Sequence, residues 1–302
     1  MKNLLALSLL VFLFQFNAEA TFRAGSYNIR NFGSDEANQP DTDKVELAKT
    51  IAGLQVDMLG VEEIVDKQQF TQFVAGYFPY YALALSQCGG RGRQHLGIMY
   101  NPQRFNLIGL YEDMRLSASG PNSQIDCYQG LRPALIGYFE DKQTSKKFIF
   151  MVLHLKAGGD QKAMETRYFQ YEVLKVVLNE YRVRGYNDFI IVGDLNSTEY
   201  SLGPSNPYYQ AFKQIISNLG LYDLTQNLPC TNYWHGGTRD GIEEPSMLDH
   251  ILSSPSFVSP KNPPAAYVGA HCLANRCQTT RADRLGRSYT NVSDHCPILS
   301  DI

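Results

Sequence analysis

The stretch IIVGDLNS, residues 190–197, decides how the rest of the chain is read. Ile190, Ile191 and Val192 form a continuous apolar run that suits a strand buried on both faces. Gly193 follows, then Asp194 and Asn196, two positions apart and so on the same side of an extended chain. Both polar side chains emerge at the carboxyl end of the strand, the rim where open α/β architectures bind ligands. A plain turn is the competing explanation, because Asp, Asn and Ser are common turn formers.

The pattern recurs, and recurrence weakens the turn explanation. SYNIR (26–30) sets Asn28 at the end of an apolar strand, LGVEEI (59–64) sets Glu62 and Glu63 there, and FMVLHLK (150–156) sets His154 there. SMLDHIL (246–252) holds Asp249 and His250 within an apolar stretch, and NVSDHCPIL (291–299) puts Asp294 and His295 just before the last strand. Unpaired carboxylates are costly to bury, so each needs a metal, a partner or solvent. Carboxylate and amide oxygens suit a hard divalent cation, and Mg²⁺ takes one or two carboxylates while keeping waters for a substrate phosphate. Histidines beside such a cluster move protons near neutral pH. His250 follows Asp249 on a strand, so it should face the other way and pack.

Around these strand ends, apolar periodicity predicts strands over 22–29, 56–62 and 148–155 and helices over 43–54, 66–78, 161–178 and 209–219. Between 80 and 150 the helical period vanishes and short β-rich runs appear, among them 96–100, 105–111 and 134–139. Further short strands are expected near 232–234, 248–252 and 296–299. Helices flank a strand-rich middle, which points to an α/β fold: a sandwich of two mixed sheets packed face to face, with helices on the outer faces.

The first twenty residues read as a secretory signal: Lys2 gives a positive start, Leu4 to Phe14 an apolar segment, and Ala18-Glu19-Ala20 a small-x-small cleavage site. That segment is shorter than the roughly 18 apolar residues a bilayer span needs. The expected product is a secreted or periplasmic chain, 21–302, folded as one domain. Lys2 and Glu19 leave together, so the net charge of −3 is unchanged. This balance argues against tight non-specific binding of polyanions and is compatible with an enzyme bearing a local basic patch.

The six cysteines, Cys88, Cys127, Cys230, Cys272, Cys277 and Cys296, lie beyond the signal, and export permits disulfides. Their spacing lacks the second pair of ligands a zinc site requires. The preferred pairing joins Cys272 to Cys277 by local closure, Cys88 to Cys127, and Cys230 to Cys296.

At these residues the chain resembles the endonuclease/exonuclease/phosphatase superfamily, and within it the deoxyribonuclease I-like secreted nucleases. YNIRNFG, GVEEI, LHLKAGG, GDLNS, LDHIL and SDHCPI occur in the family's order, from about Ser26 to Pro297. The resemblance implies a four-layered α/β/β/α sandwich and metal-dependent hydrolysis of phosphate esters. It implies Glu63 as the principal metal ligand with Asn28 and Asp294 beside it, and Asp194 and Asn196 as residues that position water and phosphate. It implies His295, oriented by Asp249, as general base, and His154 as phosphate ligand or general acid. The family's glutamate partner for that histidine has Gln94 as its counterpart here. A glutamine cannot stabilise an imidazolium as a carboxylate does, so phosphate binding is the main task expected of His154.

Arg132, in GLRPALIGY (130–138), corresponds to a phosphate-contacting arginine of the secreted nucleases. The segment CLANRCQTTRADRLGR (272–287) carries Arg276, Arg281, Arg284 and Arg287 just before Asp294 and His295, and is read as a basic loop that grips the phosphate backbone. Tyr233 and Trp234 are read as core and rim rather than as a base-stacking platform. The reading that results is a Mg²⁺-dependent endonuclease, with Mn²⁺ able to substitute, acting as a monomer on DNA and as a further candidate on RNA, and leaving 5′-phosphates. Ca²⁺ sites are not readable, and no stable membrane association is expected. The rivals are a sphingomyelinase-like phospholipid phosphodiesterase and a non-catalytic binding module on the same fold.

Overall fold

A computed structural model describes residues 21–36, 41–258 and 264–302. The expected signal segment lies outside the described residues. In chain order the strands are β1 (Arg23–Phe32), β2 (Met58–Ile64), β3 (Ala82–Leu85), β4 (His95–Tyr100), β5 (Phe105–Asp113), β6 (Ala134–Asp141), β7 (Lys147–His154) and β8 (Phe189–Asp194). They continue as β9 (Tyr222–Asp223), β10 (Asn232–Trp234), β11 (Ile242–Ser246), β12 (Asp249–Ser253), β13 (Ala266–Val268), β14 (Thr280–Arg281) and β15 (Ile298–Asp301). The helices are α1 (Lys44–Leu54), α2 (Lys67–Tyr77), α3 (Gln161–Val183), α4 (Pro207–Asn218), α5 (Ala270–Ala274) and α6 (Arg287–Asn291).

Two six-stranded sheets carry the fold, in the orders β13-β15-β1-β2-β4-β3 and β5-β6-β7-β8-β12-β9, with a small third sheet β10-β11-β14 at the side. Each large sheet contains one parallel pair, β1 with β2 and β7 with β8, and its other pairings are antiparallel. Helices α1 and α3 are the crossovers within those pairs, as parallel strands require. Glu63, His154 and Asp194 stand at or next to the ends of β2, β7 and β8, whereas Asn28, expected at a strand end, lies within β1 where its regular pairing with β2 breaks.

Packing follows the alternation of side chains. Ile190 and Val192 join Met58, Ile98, Phe148 and Val152 in the core between the sheets, whereas Ile191 faces outward onto Leu174, Val177 and Phe212 of α3 and α4. Tyr27, Leu59 and Val61 form the matching outer core with Leu47 and Ile51 of α1 and Phe70 of α2. Truncating one such side chain, Leu174→Ala for example, costs about 2–5 kcal/mol. Gly60 lets the sheets come together: a Cβ there would lie 2.5 Å from Val192 Cγ2.

The helices begin where the sequence supplies caps. Asp43 accepts from Val45 and Glu46 N–H, Asp66 from Gln69, Asp160 from Ala163, and Asn206 from Tyr208 with Pro207 opening the helix. Helix α3 runs five residues beyond its expected end, to Val183. No helix among the described residues is long and apolar enough to cross a membrane.

The disulfides correct the sequence reading. Cys88–Cys127 forms as expected, but the other two are Cys230–Cys277 and Cys272–Cys296. Cys272 lies on α5, buried, and donates its N–H to Cys296 Sγ. Arg276 and Cys277 then adopt left-handed backbone conformations, φ 53° and 52°, which turn the chain so that Cys277 reaches the segment before β10 instead of Cys272.

Candidate active site

The site forms where the carboxyl ends of the two parallel pairs meet across the sandwich. Asn28, Glu63, His154 and Asp194 come from β1, β2, β7 and β8, while Asp249 opens β12 and His295 precedes β15. Asn28 Nδ2 donates to Glu63 Oε1 and to Asp194 Oδ2, each at 3.1 Å, and so ties one sheet to the other. His154 Nε2 lies 3.7 Å from Glu63 Oε1 and 3.6 Å from Asp194 Oδ2. His295 Nε2 lies 3.7 Å from the same Asp194 oxygen, and its Nδ1 lies 2.9 Å from Asp249 Oδ2.

Local backbone geometry places these groups. The ladders of β1 and β2 shift register between Asn28 and Phe32 and between Val61 and Ile64. Arg30, Asn31, Glu63 and Asn196 adopt positive φ of 45°, 51°, 65° and 51°. Such conformations cost non-glycine residues about 1–3 kcal/mol each and cluster at functional sites. The irregularity at β2 separates its adjacent glutamates. Glu62 turns inward and accepts from Ser26 Oγ at 2.7 Å, whereas Glu63 reaches the rim, where Asn31 N–H donates to its Oε2 at 3.0 Å. Gly193 must be glycine: its φ is 141°, and a Cβ there would lie 1.9 Å from the Leu153 carbonyl oxygen.

Asp194 Oδ1 accepts from Asn196 N–H at 2.8 Å, and Asn196 Nδ2 donates to the Leu155 carbonyl at 3.2 Å. GDLNS therefore binds its own turn and the loop after His154 together. Ser293 Oγ donates to the Asn28 carbonyl at 2.7 Å and accepts from His295 N–H at 3.0 Å, which fixes the approach to the last strand. Asp294, half-buried, gives its carbonyl to Tyr233 N–H at 2.9 Å, and its carboxylate is close enough to raise the pKa values of Glu63 and His295.

The electrostatics divide the two imidazoles. Burial pushes His154 well below its ordinary range, and the charges of Arg132 and His295 push it further, so it is neutral. Burial also disfavours charge on His295, but Asp249 and Asp194 outweigh it and raise the group well above its ordinary value. Asp194 is pushed up to about 7 by burial, against the stabilising charge of His295. Burial raises Glu63 as well. A buried cluster that resists full ionisation suits a bound cation. Ligand atoms of Glu63, His154 and Asp194 lie within 4.8 Å of one another, as do those of Asp194, Asp249 and His295. Asn28 presents its amide N–H to the carboxylates, while its Oδ1 accepts from Arg30 N–H, so Glu63 is the better placed of the expected ligands.

One expectation about the rim needs correction. Gln94 makes no hydrogen bond to His154: it donates to Asn31 Oδ1 at 2.8 Å and accepts from Arg132 Nη1 at 3.3 Å, while His154 Nδ1 is buried with no partner. Arg132 holds the backbone after β7, donating to the His154 carbonyl at 3.1 Å and to the Leu155 carbonyl, and its charge acts on Glu63 and His154. Arg281, Arg284 and Arg287 are exposed, and the partners of Arg281 and Arg287 are surface carboxylates, Asp283 and Asp43, rather than site residues. His250 faces away and packs, as expected, donating or accepting at Ser197 Oγ (2.6 Å) and Asp223 Oδ2 (3.2 Å). Sequence reasoning missed Asn232, which bridges to His295 and buries an Oδ1 with no partner. It belongs to a three-residue strand with no apolar run to mark it.

No protein-family model matches this chain, and no curated protein matches its sequence. Solved structures do match. An endonuclease/exonuclease/phosphatase family protein from Bacteroides thetaiotaomicron is 20% identical, with 93% of this chain and 97% of that chain covered at a TM-score of 0.60. The catalytic domain of human Nocturnin with bound sulfate anion is 18% identical, with 93% of each covered at 0.61. D. rerio TDP2 complexed with single strand DNA product is 16% identical, with 94% and 99% covered at 0.59. Two mixed sheets face to face, outer helices and a polar cluster at the ends of their parallel strands thus make the fold of this chain that of the endonuclease/exonuclease/phosphatase superfamily.

Proposed function

We propose that this chain is a secreted, divalent-metal-dependent phosphodiesterase of the deoxyribonuclease I-like kind, hydrolysing nucleic acid to 5′-phosphate products. The observation that carries the reading is the convergence of Glu63, Asn28, His154 and Asp194 with the His295–Asp249 pair from both sheets. Glu63, with Asn28 and Asp294 beside it, would hold Mg²⁺. When bound, the cation supplies charge for the developing phosphoryl oxyanion.

The chain's own groups cover the remaining tasks. Neutral His154 can donate a hydrogen bond to a phosphate oxygen without carrying charge into the interior. Asp194 and Asn196 hold a water beside it. Asp249 fixes the tautomer of His295, whose Nε2 faces Asp194 and takes the proton of that water. Asp249 and Asp194 raise His295 above its ordinary value, so this base becomes available as pH rises. The disulfides support an oxidising destination, and the TDP2 structure with a DNA product supports nucleic acid as the substrate class.

Nicking of supercoiled plasmid by the purified chain tests the reading. Mg²⁺ or Mn²⁺ should support nicking, EDTA should stop it, and His295→Ala should remove it. Intact plasmid with both metals would move the assignment to phospholipid or phosphomonoester substrates.

A further inference from the structure

The register of the small side sheet aims one of its faces at the active site. Asn232 bridges to His295 in antiparallel fashion, with Tyr233 N–H donating to the Asp294 carbonyl at 2.9 Å and Cys296 N–H to the Thr231 carbonyl at 2.7 Å. Residues directly opposite in an antiparallel pair raise their side chains on the same side. Asn232 therefore stands on the side of His295, and Trp234, two residues on, shares it. Trp234 lies opposite Glu244 on β11, Ile242 follows on the same side, and Arg281 on β14 lies opposite Ile242.

The alternate residues Tyr233 and Glu243 are buried, and Tyr233 packs among Cys230, Cys272, Cys277 and Cys296. The other side is open: Trp234 is 43% exposed and the Arg281 side chain 61%. Asn232, by contrast, is 3% exposed, and its unpartnered Oδ1 is sealed beneath this face. Glu244 is the acid on this face, and its carboxyl group folds over Gly236, where a Cβ would meet Glu244 Cδ at 2.8 Å. Cys230–Cys277 and Cys272–Cys296 fix the sheet against the strand end that carries His295.

We propose that this face is a subsite for single-stranded nucleic acid, a reading that rests on the nuclease assignment above. A base near the scissile phosphate stacks on Trp234, and Arg281 leaves its surface ion pair with Asp283 to meet a backbone phosphate further along. Paired bases keep their faces stacked within the duplex, so the subsite selects unpaired strands. A choline headgroup also fits an aromatic face, and the vesicle titration below separates it from an unpaired base.

Trp234 is the single tryptophan of the chain, so its fluorescence reports this face alone. Metal-free protein is titrated in EDTA with a single-stranded oligonucleotide of about eight residues, with the matching duplex, and with sphingomyelin vesicles. The single strand should quench the emission at a concentration at least about ten-fold lower than the duplex requires. With Mg²⁺ present, Trp234→Ala should raise KM for oligonucleotide cleavage about ten-fold with little change in kcat, and Trp234→Phe should restore most of it.

Equal quenching by duplex, no quenching by single strand, or a blue shift on vesicles would each overturn the subsite. Cleavage of oligonucleotide by the unmodified protein with the emission unmoved removes the subsite and leaves the nuclease assignment standing. Absence of both cleavage and binding removes both.

Discussion

Two histidine–carboxylate pairs grow from adjacent residues of one strand and differ in everything that matters for catalysis. Asp249 meets His295 on one side of β12; His250 meets Asp223 on the other. The second pair even has a serine in line, since Ser197 Oγ lies 2.6 Å from His250 Nε2, in the order a serine hydrolase uses. Yet Ser197 and His250 are 0% exposed, and Asp223 is held down to about 2 against its burial by His250 first and then by Thr225 and Tyr200, which occupy its remaining lone pairs. His295 instead turns Nε2 toward Asp194 beside the half-buried Glu63 and Asp294. A constellation becomes a site through access and an unfilled valence, not through residue types.

Substitutions should separate the two pairs cleanly. The largest effect expected on activity is from His295→Ala, which should lower kcat for plasmid nicking by about 10²–10⁴-fold per folded molecule. His250→Ala should lower stability and spare turnover. Leaving the buried Ser197 and Asp223 without their partner costs about 1–3 kcal/mol, read as a lower urea midpoint, with kcat per folded molecule changed only a few-fold. A collapse of kcat in the folded variant would show that the sealed pair takes part in the chemistry.

A pH experiment sharpens the contrast further. His271 sits between Tyr233 and Tyr289, accepts or donates at Asp294 and Ser288, and is pushed down to about 4 by burial. The unfolded chain binds a proton there below about 6.5 and the native chain only below about 4, so the contribution of His271 to stability should be level above 6.5 and fall as pH drops between those values. The loss should approach about 3 kcal/mol, and His271→Gln should flatten it in urea titrations at successive pH values. The smallest effect expected is that of Gln94→Ala. It removes hydrogen bonds to Asn31 and Arg132 rather than to His154, so kcat/KM should fall only several-fold, about 1 kcal/mol. A far larger fall would restore Gln94 to the task of orienting His154.

The same comparison explains what the amino-acid string revealed. Asp194, Asn196, Glu63 and His154 stand at the ends of long apolar strands, where a polar residue is conspicuous, and the helices between those strands carry clear periods and caps. The alternation rule separated Asp249 from His250 because both sit on one regular strand. Legibility fails where structure is short or bent. Strands of two or three residues, such as β10 and β14, have no period, so the common face of Asn232, Trp234 and Arg281 was hidden. The left-handed residues at Arg276 and Cys277 redirected two disulfides, and those at Asn31 and Glu63 re-aimed a ligand, with no residue type that announces either.

Strand β15 lies against β1, pairing Ile298 with Ser26 and Asp301 with Arg23. The strand that carries Asn28 and the segment that carries His295 are therefore laced together by residues 265 positions apart, Ser293 holding the Asn28 carbonyl. The proposed proton-transfer pair comes to Glu63, Asp194 and His154 only when that long-range contact closes, the slowest kind for a polypeptide to make.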